Sequence, residues 1–243
     1  MNIISLLQEF DGKEIGEDDS GDPVIGKLLP GLNQSEFKQL EAVIPCRIPS
    51  HIFDLLSMTR GIEPALDLMD FSGLSLRNDA PLPEQFPTAL IVAGDGLGNF
   101  WIVDLNEKSR DWGPVFFVSQ KPSVVVWQAK TFEEFLSQLI AFASFEDGSA
   151  INLVYDNFAH KIDADNPNLI TAEQAYHPGD PDFGLFVQSL KKGYQFIDLR
   201  NPKVGDGFSW RRWGDKTELH RYGGLRLFAY RKTPNYFQKL MGY

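Results

Sequence analysis

Residues 89–139 constrain the fold more than any other part of this chain. Short apolar runs rich in β-branched and aromatic residues occupy positions 89–93, 99–105, 115–118 and 124–128. Glycine, proline and aspartate bound these runs, which is the usual mark of strands. The pattern therefore predicts a sheet of short strands that follow one another along the chain.

A helix closes this segment. Thr131 and Glu134 have the spacing of a capping box, in which a hydroxyl and a carboxylate satisfy the first free amides of a helix. Apolar residues then recur at three- and four-residue spacing, which gives the helix one apolar face: Phe132, Phe135, Leu136, Leu139 and Ile140. That face needs a sheet to cover.

The loop at residues 94–99 has two interpretations. Alternating glycines after a strand can cradle a phosphate, but the dinucleotide motif requires a helix after the glycines, and here a strand pattern follows. Asp-Gly sequences also suit the positive φ angles of hairpin turns. The hairpin turn is the favoured interpretation.

Charge is distributed unevenly. The 243 residues carry a net charge of −10. Residues 191–243 contain 12 Lys and Arg against 4 Asp and Glu, a net +8, so residues 1–190 carry −18. An acidic body repels nucleic acid and attracts basic partners, although acidity also serves solubility alone. We therefore expect a basic protein partner, and nucleic acid is disfavoured.

The first ten residues lack the basic and apolar regions of a secretory signal, and no apolar run is long enough to span a membrane. The single cysteine, Cys46, excludes an internal disulfide and fits a reducing compartment. These features predict a cytoplasmic protein without membrane contact.

Along the chain we predict helices at residues 1–10, from Asn33 to before Pro45, and at 49–60 with Gly61 at the C′ position. Residues 11–31 and 163–182 are predicted loops, and 151–160 is a candidate helix. Strands are predicted at 183–190, 194–199, 208–213 and 225–230, in an antiparallel meander. A domain boundary near residue 147 separates 1–147 from a basic, β-rich part at 148–243.

No reaction centre stands out. His51, His160, His177 and His220 lack metal-ligand spacing, and no nucleophile elbow is present. Arg47 next to Cys46 favours a lowered thiol pKa, but a packed cysteine is the simpler interpretation. Glu133 and Glu134 are adjacent on a helix and point apart. We therefore assign no catalytic, cofactor or metal residue and expect no enzyme. A catalytic site in the C-terminal part would require four residues to converge in one pocket: Asp182, Arg200, Arg211 and His220.

The basic C-terminal part alternates cationic and aromatic residues, among them Arg200, Lys203, Arg211, Arg212, Lys216, Arg221, Arg226 and Arg231 with Trp210, Trp213, Tyr222, Phe228 and Tyr230. Such a surface can bind nucleic acid through phosphate contacts and base stacking. The same pattern fits a half-buried sheet whose arginines pair with the acidic body, and we favour that structural interpretation.

Five short pieces occur in an order typical of one known family. They are the acidic, leucine-containing helix pattern at 35–41, the segment at 48–56 followed by Arg60-Gly61, the Gly-Asp-Gly turn with its aromatic strand at 94–101, the strand at 113–117, and the Thr-Phe-Glu-Glu-Phe-Leu helix start at 131–136. In this pattern Ile48 replaces the usual leucine and Phe53 the usual tyrosine. Residues 34–140 thereby resemble the SUKH superfamily, which includes fungal cell-wall assembly regulators and many bacterial immunity proteins.

The resemblance implies an α+β fold with one antiparallel sheet and flanking helices, followed here by a small β-rich part that lies outside it. It implies a non-catalytic binding protein without cofactors, whose partner-binding residues are unknown. The first functional hypothesis is an immunity protein that neutralises a toxin, for example a nuclease. The alternative is an interaction or scaffold module similar to the fungal regulators.

Overall fold

The computed structural model describes residues 2–18, 20–76, 81–108, 112–146, 148–175, 179–211 and 216–233. The fold is α+β, as predicted. Its helices are α1 Ile3–Phe10, α2 Gln34–Glu41, α3 Ser50–Met58, α4 Phe132–Ala143, α5 Ala150–Asn152, α6 Ala159–Asp165, α7 Ala172–Ala175 and α8 Pro181–Ser189, and a π-helical segment, Leu153–Phe158, joins α5 to α6. Within the described ranges, no helix is long and apolar enough to cross a membrane.

The described residues form thirteen strands, and all pairings between them are antiparallel. They are β1 Glu14–Glu17, β2 Pro23–Ile25, β3 Lys27–Pro30, β4 Thr59–Glu63, β5 Leu68–Met69, β6 Leu90–Gly94, β7 Phe100–Val103, β8 Val115–Gln120, β9 Ser123–Ala129, β10 Gln195–Asp198, β11 Gly207–Arg211, β12 Lys216–Arg221 and β13 Leu227–Thr233.

The main sheet has six strands in the order β11-β9-β8-β7-β6-β5. Strands β6 to β9 confirm the strand predictions for residues 89–128, because each pairs with its neighbour in sequence. A second sheet has the order β10-β13-β12, and β1-β2 and β3-β4 form two separate two-stranded sheets. The small C-terminal sheet predicted from the sequence is thus present.

Both faces of the main sheet are buried. Successive side chains on a strand point to opposite faces, and the residues on the two faces belong to two different core clusters. On one face, Trp101, Phe117 and Val126 join a core cluster with residues of α1, α3 and α4. Helix α4 contributes the apolar stripe predicted for it, and all five of its predicted members are buried. The closing helix therefore covers the sheet as expected.

The C-terminal part covers the opposite face. Phe116, Val125 and Trp127 of the main sheet belong to one cluster with Phe208, on the edge strand β11 of the same sheet, and with Phe228, on β13 of the C-terminal sheet. The rings of Phe208 and Phe228 lie 5.0 Å apart. This second face explains why β6 to β9 read as nearly continuous apolar runs instead of an alternation of apolar and polar residues.

Helix α8 packs on the outer side of the C-terminal sheet. Phe183 and Phe186 share a third cluster with Tyr194 and Phe196, and the ring of Phe196 contacts those of Phe183 and Phe186 edge-on at 6.0 and 5.7 Å. The C-terminal sheet, β10-β13-β12, therefore lies between the main sheet and α8.

The predicted helix starts have the expected caps. The Asn33 side chain accepts hydrogen bonds from the amides of Ser35 and Glu36, and the Glu36 carboxylate accepts one from the Asn33 amide, which completes a capping box. Thr131 accepts from the Glu134 amide. The Glu134 carboxylate, however, binds the amide of Lys130 and not that of the N-cap residue.

Several predictions were wrong. Residues 183–190 form most of α8 and not a strand, because Asp180 caps the helix and Pro181 occupies its first turn. Residues 11–31 contain three short strands instead of a loop. Helix α3 ends at Met58, so Gly61 lies within β4 and not at a C′ position. The predicted loop at 163–182 contains the end of α6, the short α7 and the start of α8.

The C-terminal strands do not form the predicted meander. Strand β11 leaves the C-terminal sheet and pairs with β9 at the edge of the main sheet, and β12, which was not predicted, pairs with β13. The helix predicted at 151–160 is present, although its centre is π-helical. The domain boundary near residue 147 stays a prediction; across it, the two parts share a sheet and two core clusters.

Candidate functional site

The turn between β6 and β7 is organised by the Asp95 carboxylate. One oxygen accepts hydrogen bonds from the amides of Leu97 and Asn99, at 2.8 and 3.1 Å. The other accepts from the Asn99 side chain and from the Tyr155 hydroxyl, the latter at 2.9 Å. Gly96 and Gly98 adopt positive φ angles of 71° and 94°, as a hairpin turn requires. The hairpin interpretation of the glycine loop is confirmed.

Tyr155 connects this turn to the core. It lies in the π-helical segment, and its ring stacks on Trp101 at 6.4 Å and meets Phe117 edge-on at 5.7 Å. Trp101 in turn donates from Nε1 to Gln128 at 3.0 Å. A residue from beyond position 148 thus holds the turn of the preceding part in place.

The electrostatics of the turn follow from these bonds. Burial alone raises the pKa of Asp95, but the hydrogen bonds from Asn99, the Leu97 amide and Tyr155 outweigh burial, and the pKa is lowered. The same bond to Asp95, helped by burial, raises the pKa of Tyr155. The turn therefore holds a carboxylate and a neutral phenol at neutral pH.

Leu97 projects from the tip of this turn. Its side chain is 82% exposed, the largest exposure among the big apolar side chains described. Asp67 lies beside Gly96, with its carboxylate 3.0 Å from where a Cβ of residue 96 would stand. Asp156 is exposed and acts electrostatically on Tyr155. We call Asp67, Asp95, Leu97 and Asp156 the turn surface: an exposed apolar side chain on a hydrogen-bonded turn, with Asp67 beside Gly96 and Asp156 near Tyr155.

A cleft of about 1190 Å³ lies where the main sheet meets the C-terminal part. One wall comes from residues before and at the start of α4, including Lys108, Lys130 and Thr131. The other comes from the C-terminal part, including Arg200 and Arg226. Three carboxylates also line the cleft: Glu107, Glu134 and Asp182.

The two arginines of the cleft differ in their partners. Arg200 binds Asp180 and Asp198 through its guanidinium, and these bonds raise its pKa. Arg226 lies over the ring of Trp127, 5.7 Å from its centroid, and its Nε is buried without a hydrogen-bond partner. Burial lowers the pKa of Arg226. No carboxylate within the described ranges forms a salt bridge with it.

A third polar group lies on the C-terminal sheet. The Tyr194 hydroxyl donates to Glu218 and lies 3.1 Å from Nε2 of His220. Arg231 donates to both Glu218 oxygens and stacks over the Tyr194 ring at 4.7 Å. Burial, followed by the bond to Glu218, raises the pKa of Tyr194. A hydroxyl with a raised pKa whose neighbours already satisfy it is suited to holding two strands together, and not to nucleophilic attack.

The histidines are dispersed over the fold. His51 lies 2.8 Å from Glu133, His160 is exposed on α6, and His220 contacts Tyr194. His177 lies outside the described residues. Among the residues that are described, no group of three His, Cys, Asp or Glu side chains is arranged to hold a metal ion.

The pKa of Cys46 differs from the expectation drawn from its neighbour Arg47. Burial raises the pKa of the thiol. A partly buried thiol with a raised pKa is less nucleophilic at neutral pH.

The four residues proposed for an enzymatic site do not meet. Asp182 and Arg200 line the cleft, whereas His220 belongs to the Tyr194 group on the C-terminal sheet. The side chain of Arg211 lies outside the described part. The arrangement therefore gives no support to a catalytic group built from these residues.

The basic C-terminal arginines are mostly occupied by carboxylates. Arg221 pairs with Asp104 of the acidic body, which confirms the structural interpretation for this residue. Arg200 and Arg231 pair with carboxylates of the C-terminal part itself. Phe228 and Tyr230 are buried in the core and so are not exposed for base stacking. Arg212 and Trp213 lie outside the described residues.

Sequence reasoning missed Tyr155 and the state of Arg226. Nothing in the local sequence links position 155 to the turn sixty residues earlier, since the bond depends on how the π-helical segment crosses the sheet. Arg226 looks like its neighbours in sequence, and only the tertiary structure distinguishes a paired arginine from an unpaired one.

The fold is that of an α+β domain with a central antiparallel sheet, flanking helices and a glycine-bounded aromatic hairpin. A model of the SMI1 / KNR4 family (SUKH-1) matches residues 3–138, more than half of the chain, and the chain belongs to that family. The match includes α1 and the N-terminal strands, which the resemblance at residues 34–140 left out. No curated protein and no solved structure gives a significant match.

Proposed function

We propose that this protein is a cytoplasmic immunity protein that binds and neutralises a basic toxin domain without catalysis. Family membership carries the proposal, because bacterial members of the SUKH superfamily include immunity proteins. The charge of residues 1–190, −18, supports it further. Complementary potentials speed the encounter of two proteins and suppress wrong partners.

We assign the contact to the turn surface. An exposed apolar side chain on a rigid support loses little conformational entropy when a partner covers it, and such residues anchor interfaces. Asp95 and Tyr155 hold the turn, and Leu97 is 82% exposed. Asp67 and Asp156, both exposed, supply carboxylates for Lys and Arg side chains of the toxin.

The test is co-expression with the toxin domain encoded beside the gene, scored by growth. The wild-type chain is expected to restore growth and L97E to fail. L185E is the matched control, because Leu185 is also exposed, at 55%, but lies on α8. Continued killing in the presence of the folded wild-type chain contradicts the immunity function. Protection by L97E equal to that by the wild type leaves the immunity function standing and excludes the turn surface.

A second experiment, affinity capture, addresses the alternative, an interaction or scaffold module. Under that hypothesis the gene has no toxin neighbour, and affinity capture from the native cell followed by mass spectrometry yields several host proteins. A single basic toxin domain in the captured material supports the immunity function instead.

A further inference from the structure

We infer that the cleft between the main sheet and the C-terminal part is a binding site for a small molecule bearing a phosphate monoester, with Arg226 as the group that binds the phosphate. The inference does not depend on the immunity function, because the cleft and the turn surface share no residue.

The first step is the state of Arg226. A guanidinium removed from water is costly unless hydrogen bonds and an opposite charge compensate it. Arg226 is half-buried and its Nε has no hydrogen-bond partner. Asp104 and Asp198 act on it electrostatically, but within the described ranges no carboxylate forms a salt bridge with it. Arg200, Arg221 and Arg231 each have such a carboxylate. Arg226 is therefore the described arginine of this layer whose charge an incoming anion would complete.

The second step is the geometry of support. Arg226 lies over the face of Trp127, which is 5% exposed and fixed in the main sheet. Stacking on an aromatic ring restricts a guanidinium, so less entropy is lost when it binds an oxyanion. Strand β13 begins at the next residue, so the backbone at position 226 is also held by the sheet.

The third step is the composition and size of the cleft. Lys108 and Lys130 are exposed on the cleft wall that lies before and at the start of α4, and Thr131 and Asn201 add neutral hydrogen-bonding groups. With Arg200 and Arg226, four cationic side chains line the cleft against the three carboxylates of Glu107, Glu134 and Asp182, a net charge of +1. A phosphate monoester carries a charge of about −1.5 to −2 at neutral pH and offers three acceptor oxygens. A phosphate monoester can therefore accept hydrogen bonds from one guanidinium and two ammonium groups, whereas a single carboxylate has fewer acceptor oxygens. A volume of about 1190 Å³ leaves room for the organic part of the ligand.

Isothermal titration calorimetry on the full chain tests the inference, with inorganic phosphate and phenyl phosphate as probes and sodium acetate at matched ionic strength as the carboxylate comparison. We expect saturable binding of both phosphates and binding of acetate that is at least about tenfold weaker, since charge-assisted bonds to one carboxylate are fewer. R226Q is expected to weaken phosphate binding by about ten- to hundredfold.

Two further variants keep the result interpretable. K191Q removes one positive charge from an exposed turn outside the cleft and is expected to bind phosphate like the wild type. R226K retains the charge but loses the planar fork, and we expect intermediate affinity. Absence of saturable phosphate binding by the wild type overturns the inference. So does equal affinity of R226Q and wild type, or acetate binding as tight as that of phosphate.

Discussion

The guanidinium of Arg221 donates two hydrogen bonds to the carboxylate of Asp104, at 2.8 and 2.7 Å. Both side chains are almost completely buried, with 6% and 2% exposed. Arg221 also donates to the backbone oxygens of Gln85 and Leu225, and its guanidinium lies over the rings of Phe86 and Phe228. This pair joins the family domain to the C-terminal sheet.

Removing one partner of this pair is expected to be costly. Asp104→Asn leaves the Arg221 charge buried without its counterion, and we expect a loss of about 3–5 kcal/mol in the free energy of unfolding. Urea denaturation followed by circular dichroism measures it. The control is Glu218→Gln, which breaks the much more exposed pair with Arg231 and should cost far less. Equal losses in the two variants contradict the structural role of the Arg221 pair.

Acid should weaken the turn that carries Leu97. The pKa of Asp95 is lowered in the fold, so its carboxylate stabilises the native state above the unfolded pKa. That contribution disappears as the pH falls through the folded pKa. We expect Asp95→Asn to be less stable than wild type at pH 7, and the difference to shrink below about pH 4. Urea unfolding at a series of pH values tests this, and a constant difference from pH 7 to pH 3 speaks against it.

Tyr155→Phe tests the same hydrogen-bonded carboxylate, Asp95, from its partner. It removes one of the hydrogen bonds that lower the pKa of Asp95 while keeping the ring that packs on Trp101. The pH-dependent part of the stability should therefore become smaller. An unchanged acid profile for this variant means that Tyr155 does not bind Asp95 in solution.

The contact between β11 and β9 is close enough to exclude a side chain at Gly207. A Cβ there would lie 2.1 Å from the carbonyl oxygen of Val125. Gly207→Ala should separate the two strands and reduce stability by about 1–3 kcal/mol or more. Gly184→Ala is the matched control, because a Cβ on this helical glycine meets nothing within 4 Å and should stabilise α8 by about 0.5–1 kcal/mol. Thermal unfolding of both variants distinguishes them by sign.

The predicted boundary near residue 147 can be tested by expressing residues 1–147 alone. That fragment lacks β11, β13 and the rest of the layer that covers Phe116, Val125 and Trp127. An uncovered apolar sheet face promotes association. We expect the fragment to aggregate or to bind hydrophobic dyes, as judged by size-exclusion chromatography. A monomeric, cooperatively unfolding fragment supports an independent domain.

The elements that were predicted correctly are those with strong local signals. The Asn33 and Thr131 caps, the apolar stripe of α4 and the glycine-bounded strands β6 to β9 are each encoded within about fifteen residues. Helix α8 also had such a signal, Asp180-Pro181, which marks an N-cap followed by a first-turn proline. The apolar run that contains Phe183 and Phe186 is compatible with a strand as well as a helix, and the cap with its proline is the signal that favours the helix.

The remaining features depend on contacts distant in sequence. Strand β11 pairs with β9 about 80 residues earlier, and no local pattern indicates that it leaves the sheet of its neighbours. The bond from Tyr155 to Asp95 spans 60 positions. The candidate site could be predicted only as a hairpin turn with an aspartate, because its tether and its exposed carboxylates come from other elements.

The layer that covers the outer face of the main sheet has a consequence for synthesis of the chain. Trp127 and its neighbours find their packing partners in Phe208 and Phe228, which the ribosome adds about 80 to 100 residues later. Until then, one apolar face of the antiparallel sheet formed by β6 to β9 remains exposed to water in the nascent chain. Chaperones that shield such surfaces would find their substrate at this stage of translation, well before the last strand reaches its place.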